Sequence, residues 1–236
     1  MRKSLLIVSV AVFGLSFGGG EQAVSTFTDK RDGKVYRIVE IDGRVWFAEN
    51  LNYAAEGSRC YGESGVVILV WDKNGDHVTT TLSAAEVQAN CAKYGRLYDW
   101  DTADTACPAG FRLPTYKEWT ALVDYAGGEE KAGTKLKSST GWNSYDGVPV
   151  GTDDFGFSGL PGGSGSGLDD GCFIDAGNKG RWWSATRFFV DCFWDLEMNY
   201  REEYVWITRK DLDSQLSVRC VQGERDASIK KEAEWE

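Results

Sequence analysis

The sequence predicts a single α+β domain, and three observations carry that expectation. Helix-start signals cluster between residues 83 and 126, strand-like runs dominate after Gly141, and glycine- and aspartate-rich stretches separate those runs. Helices gathered in one part of a chain and an antiparallel sheet in another is the pattern of α+β folds. The 236 residues are 42% hydrophobic and 26% charged, a globular composition that rules out wholesale disorder. A chain of this length buries most of its unfolded surface, so a substantial core is expected.

Arg2 and Lys3 precede an apolar run from Leu5 to Phe17. The run falls short of the roughly 20 residues that cross a bilayer, and it suits the apolar region of a secretory signal peptide. Residues 1–23 are therefore expected to be a signal peptide, 24–222 the folded domain and 223–236 a charged tail. Lys34–Ile41 and Arg44–Ala48 are joined by Asp42-Gly43, which favours the positive φ angles of a tight hairpin. Val66–Trp71 is expected as a strand, turned at Asn74-Gly75. Ser83 followed by Glu86 has capping-box spacing and starts a helix reaching about Tyr94. Leu97–Ala106 is expected as a short helix closed by Cys107-Pro108. Thr115 and Glu118 form a second capping box. Trp119, Leu122, Val123 and Ala126 then recur at helical spacing up to Gly127-Gly128. Beyond Gly141, Gly156–Gly167 and Asp169–Gly180 are expected as irregular loops. Strands are expected at Arg181–Thr186, Phe188–Leu196, Tyr204–Thr208 and Leu216–Val221, giving an antiparallel sheet with two or three helices.

Six cysteines in a chain with an export signal point to disulfides, and their pairing is not fixed by sequence. The set expected is Cys60–Cys91, Cys107–Cys220 and Cys172–Cys192. No C-x-x-C occurs, so a zinc ribbon or thioredoxin-like pair has no support. With 26 Lys+Arg against 36 Asp+Glu and no basic stripe, nucleic acid is not an expected partner. His77 is the only histidine, which removes multi-histidine metal sites. It follows a polar turn and is expected as a solvated loop residue.

Several ordered motifs resemble the Fibrobacter succinogenes major paralogous (FISUMP) domain. They include Trp46-Phe47-Ala48-Glu49-Asn50-Leu51-Asn52-Tyr53, Cys107-Pro-Ala-Gly-Phe-Arg-Leu-Pro114, Asp153-Asp-Phe-Gly-Phe-Ser-Gly-Leu-Pro-Gly-Gly163, Trp182-Trp-Ser184 and Ser217-Val-Arg-Cys220. That resemblance spans roughly residues 26–222 and implies a bacterial protein that is secreted, periplasmic or on the cell surface, often lipid-anchored. The chain departs from it in lacking a lipid-attachment cysteine after the apolar run and in carrying Cys172 and Cys192. Trp100, Ala103, Cys107, Gly110, Glu118, Phe157-Ser-Gly-Leu160 and Cys220 are also spaced like a C-type lectin-like fold. The Arg112–Trp119 segment resembles the formylglycine-generating enzyme family, which shares that fold. An oxidase of that kind would need free late cysteines, and Cys192 and Cys220 are both expected in bridges.

Trp46, Trp100, Trp119, Trp182 and Trp183 are assigned to the core. Trp142, Tyr145, Trp194, Tyr200, Tyr204 and Trp206 lie in the loop-rich half and form the candidate ligand-binding set. Asp153, Asp154, Asp169, Asp170 and Asp175 are the oxygen-rich candidates for calcium, in backbone able to lend carbonyls. No cofactor is required by this reading; calcium is a candidate, and turn chemistry in the Gly-rich loops is the alternative role of these aspartates. Adjacent Asp153 and Asp154 would point to opposite sides of a strand, so a paired-carboxylate hydrolase has little support. The function expected is non-catalytic binding of polysaccharide or a surface protein, without a membrane span in the mature chain. A fold-related oxidase and a structural envelope component are the alternatives.

Overall fold

The computed structural model describes residues 25–71, 77–167 and 171–225. The expected signal peptide, Asp169, Asp170 and nearly all of the tail lie outside the described residues. In chain order the elements begin with β1 (Ser25–Thr28), β2 (Val35–Ile41), β3 (Arg44–Phe47), β4 (Val66–Trp71) and β5 (His77–Thr80). There follow α1 (Ala84–Tyr94), β6 (Leu97–Tyr98), α2 (Trp100–Ala106), β7 (Phe111–Arg112), α3 (Tyr116–Tyr125) and α4 (Glu129–Leu136). The rest is β: β8 (Gly162–Ser166), β9 (Cys172–Ala176), β10 (Lys179–Phe189), β11 (Cys192–Asn199), β12 (Val205–Asp211), β13 (Ser214–Ser217) and β14 (Val221–Gln222). The fold is α+β, as the sequence predicts.

Local chemistry explains most elements. Asp42 and Gly43 take φ of 51° and 69°, the turn that joins β2 to β3. Ser83 and Thr115 each close a reciprocal capping box, with Glu86 and Glu118 respectively. The second helix is shorter than expected. Asp99 caps it by accepting from Thr102 N at 2.8 Å, while Leu97 and Tyr98 pair with β13 instead. A fourth helix, α4, exceeds the two or three expected and lies in a stretch to which the sequence reading assigned no element. Gly127-Gly128 ends α3, and Gly128 at φ 86° serves as the N-cap of α4. Glu129 and Glu130 in its first turn and Lys135 in its last suit the helix dipole.

The glycine-dense Gly156–Gly167 stretch is a second correction, since it contains β8. Glycines in β8 are crowded by neighbouring strands, by backbone at Gly163 and by side chains at Gly162 and Gly165. A Cβ on Gly163 would meet Ile174 O at 2.4 Å. β9 likewise lies inside a stretch expected to be irregular. The β10–β11 hairpin turns at Val190-Asp191, with Asp191 at φ 57°, so Phe188 belongs to the first strand rather than the second. His77 opens β5 instead of lying in a loop.

Five strands form one sheet in the order β1-β2-β3-β14-β7, and a nine-stranded sheet runs β12-β11-β10-β13-β8-β9-β4-β5 with β6 beside β13. The large sheet is mixed rather than purely antiparallel, because β10 runs parallel to β13 and β8, and β4 parallel to β9. Adjacent Trp182 and Trp183 on β10 point to opposite faces and enter different cores. Trp182 joins Trp46, Trp119, Leu122, Leu136, Leu196 and Met198. Trp183 joins Tyr98, Trp100, Phe193, Leu216 and Val218. All five tryptophans assigned to packing are at most 1% exposed.

The two cores meet at a polar knot. Asn50 Oδ1 accepts from Trp182 Nε1 at 2.7 Å and from Arg219 Nη2 at 2.8 Å. Arg219 is wholly buried and also donates to the carbonyls of Phe47, Phe157 and Ser158. Cys60–Cys91 and Cys107–Cys220 are bridged as expected, the latter across 113 residues. Cys172 and Cys192 are not: both keep free thiols, on β9 and β11, with β10, β13 and β8 between them in the sheet order. That correction also overturns the expectation of a bridged Cys192.

Candidate functional site

The connection between β11 and β12, residues 200–204, carries Tyr200 and Tyr204, two half-buried members of the expected binding set, and leads into exposed Trp206. It is fastened from beneath. Lys137, just past α4 and 1% exposed, donates from Nζ to Asn199 O and Glu202 O, both at 2.6 Å. Its ammonium lies 5.1 Å from the Trp142 ring centroid. Burial pushes its pKa down to about 8, against the opposing pull of Glu202 and Glu203. Helix α4 holds the loop at a second point. Gly133 N donates to Glu203 O at 2.9 Å, and a Cβ there would lie 2.3 Å from that oxygen. Thr134 Oγ1 donates to Glu203 Oε2 at 2.9 Å.

Two neighbouring loops complete the platform. Tyr200 N donates to Asn178 O, and Asn143 Nδ2 donates to Asn178 Oδ1, each at 2.9 Å. Tyr145 meets Tyr200 edge-on with centroids 5.9 Å apart, and the Arg201 guanidinium lies over both rings. Tyr204 and Trp206 form a second pair at 4.4 Å. Their polar tips engage acids: Trp206 Nε1 donates to Glu202 Oε1 at 2.8 Å, and Tyr204 Oη donates to Glu129. The bond to Glu129, with the charges of Glu130 and Glu202, holds the Tyr204 phenol above its ordinary pKa. Tyr145 and Trp206 are 49% and 45% exposed, so their ring faces remain open to a ligand.

Two members of the expected set belong elsewhere. Trp142 is buried in the first core and donates from Nε1 to Gly159 O, which makes it part of the support beneath the platform. Trp194 is half-buried between Tyr116 and Phe188. It lies five residues along β11 from Asn199, where the platform begins. Two of the three described members of the calcium set, Asp153 and Asp175, have other partners. Asp153 accepts from Ser158 N and Oγ, both at 2.6 Å, and so shapes its own loop. Asp154 lines a surface cavity beside α4, and Asp175 faces Lys179 at 3.7 Å. Among the described residues no three His, Cys, Asp or Glu side chains converge as a metal site.

Sequence reasoning missed Lys137, Gly133, Glu129 and Glu202. Glu202 sits between two tyrosines, a local signal. The role of Lys137 has no sequence signal, because its partners are carbonyls 62 and 65 residues away. A second concavity, about 340 Å³, lies where Cys172, Ser164 and Ile174 face Lys210, Asp211 and Asp213. Burial, with Arg181 and Lys179 nearby, pushes the Lys210 pKa down.

Among the described residues no helix is long and apolar enough to cross a membrane. The chain belongs to the Fibrobacter succinogenes major domain family, which it matches over residues 39–222. No curated protein and no solved structure matches it.

Proposed function

We propose that this family member is an exported, non-catalytic binding module that holds polysaccharide or a surface protein on its aromatic platform. The observation that carries this reading is the 200–206 segment itself. Trp206 is exposed and Tyr200 and Tyr204 are half-buried, while the backbone is clamped by Lys137 and Gly133. Aromatic rings with polar tips suit ligand contact, and a loop ordered beforehand loses little freedom on binding. Two disulfides suit an oxidising compartment, and the apolar run at Leu5–Phe17 supplies the export signal of this reading. A C-type lectin-like arrangement is the finer reading of the fold. It is supported by the bridge from Cys107, beside the helices, to Cys220 near the closing strand.

Retention on insoluble polysaccharides and a panel of immobilised glycans tests the proposal. Wild-type protein is expected to be retained, and Tyr145→Ala or Tyr204→Ala to lose retention with unchanged melting. Equal retention of the wild type and both variants contradicts it. One observation favours a second reading, a fold-related oxidase: Cys172 and Cys192 keep their thiols. A thiol count on purified protein that finds none removes that reading.

A further inference from the structure

We propose that the Tyr204–Trp206 face takes a glycan bearing protonated amines, an amino-sugar polymer stripped of its acyl groups. This deepens the binding-module reading and rests on it. The pair offers an exposed indole, and the charges of Glu129, Glu130 and Glu202 act on its tyrosine. Glu202 accepts from Trp206, Glu129 accepts from Tyr204, Thr134 holds Glu203, and Glu130 adjoins Glu129 on α4. Two nearby cations are engaged elsewhere, while Lys131 and Lys135 lie on α4 beside the neighbouring cavity. Arg201 lies over Tyr145 and Tyr200, and Lys137 is buried with its donors on backbone carbonyls.

Ring faces and carboxylates attract the same kind of group. A cation over an aromatic face is drawn by the ring quadrupole, and the neighbouring acids add to that attraction. Uronate or sulfate chains are repelled by the same field. A sugar ring lies flat on the indole and carries its amine at a fixed position, whereas a lysine side chain must first be immobilised. Beside the pair, a cavity of about 370 Å³ shares Glu130 and Glu203 and adds the hydroxyls of Thr134 and Thr152. Lys131 and Lys135 also line that cavity, so amine recognition is assigned to the aromatic pair and hydroxyl contacts to the cavity.

Calorimetric titration of the full chain with glucosamine, N-acetylglucosamine and lysine oligomers, at low and high salt, tests this. The glucosamine oligomer is expected to bind, to weaken with salt, and to exceed the N-acetylated oligomer by at least about ten-fold. Trp206→Ala should lower its affinity by at least about ten-fold, and Glu202→Gln by roughly three-fold. Trp206 is exposed and Glu202 half-buried, and an unchanged melting curve confirms folding. Equal binding of the N-acetylated oligomer, lost in Trp206→Ala, overturns amine recognition while leaving the platform reading intact. Tighter binding of the lysine oligomer replaces the glycan with a basic peptide and also overturns it. No glycan binding, with wild type and Trp206→Ala alike on every immobilised ligand, removes both readings.

Discussion

Two buried cations organise this molecule, and they do so differently. Arg219 sits between the two cores and donates to three carbonyls and Asn50, joining segments near residues 47, 50, 157 and 219. Lys137 sits under the platform and donates only to Asn199 and Glu202, two carbonyls of one loop. Neither has a carboxylate within ion-pair distance among the described contacts, and burial lowers both pKa values, to about 9 and about 8 respectively. A guanidinium spreads several donors in a fixed plane and can tie distant segments, whereas an ammonium is a point donor suited to one spot. The difference teaches that the frame depends on contacts made across the whole chain, while the platform depends on a local clamp. Damage to one should leave the other readable.

The largest effect is expected from Arg219→Met, which leaves its buried acceptors unpaired. Denaturant unfolding should show a loss of about 3–5 kcal/mol, and Arg219→Lys should restore little of it. A loss below that of Lys137→Met would break the contrast. Removing the Cys107–Cys220 bridge by paired Ser substitution should cost about 2–5 kcal/mol in the same assay. Lys137→Met should cost roughly 1–3 kcal/mol. Hydrogen exchange should speed up at residues 199–204 and stay unchanged in β10 and β13.

The pH dependence sharpens the contrast. Lys137 titrates near 8 in the folded state against an ordinary 10.5, so above pH 8 the unfolded chain holds more protons. The cost of burying its ammonium is fully present below pH 8, and stability should rise as pH climbs from about 8 towards 10. Unfolding midpoints across that range should show the early part of the rise in wild type and not in Lys137→Met. Glu118 has the opposite sign. Burial raises its pKa, but bonds from Arg112 and Thr115 outweigh that and hold it below the ordinary carboxylate value. Glu118→Gln should therefore lower stability by about 1 kcal/mol at neutral pH. That difference should fade as acid protonates the wild-type carboxyl.

The frame was largely legible in the sequence because its determinants are local. Asp42-Gly43 carries its own turn angles, the capping boxes at Ser83 and Thr115 need only four residues, and two of the three expected disulfides form. The platform was legible only in its surface: Tyr145 meets Tyr200 and Tyr204 meets Trp206, while Trp142 lies in the core and donates to Gly159. Its support was not legible, because Lys137 reads as a surface lysine until carbonyls from another part of the chain surround it. Strand β8 was hidden for a related reason. Its glycines answer to crowding by neighbouring strands, which no periodicity in Gly162–Ser166 can announce. Cys172 and Cys192 looked like a pair by count alone, and strand order decided against them.

The most direct test compares retention of wild type, Trp206→Ala and Lys137→Met on the glycan that wild type binds best. The account predicts that Trp206→Ala stays as stable as wild type and is not retained. Lys137→Met should be retained with intermediate strength, because its rings remain but their loop is no longer clamped. Undiminished retention of both folded variants would contradict a platform built on these rings and held by that lysine.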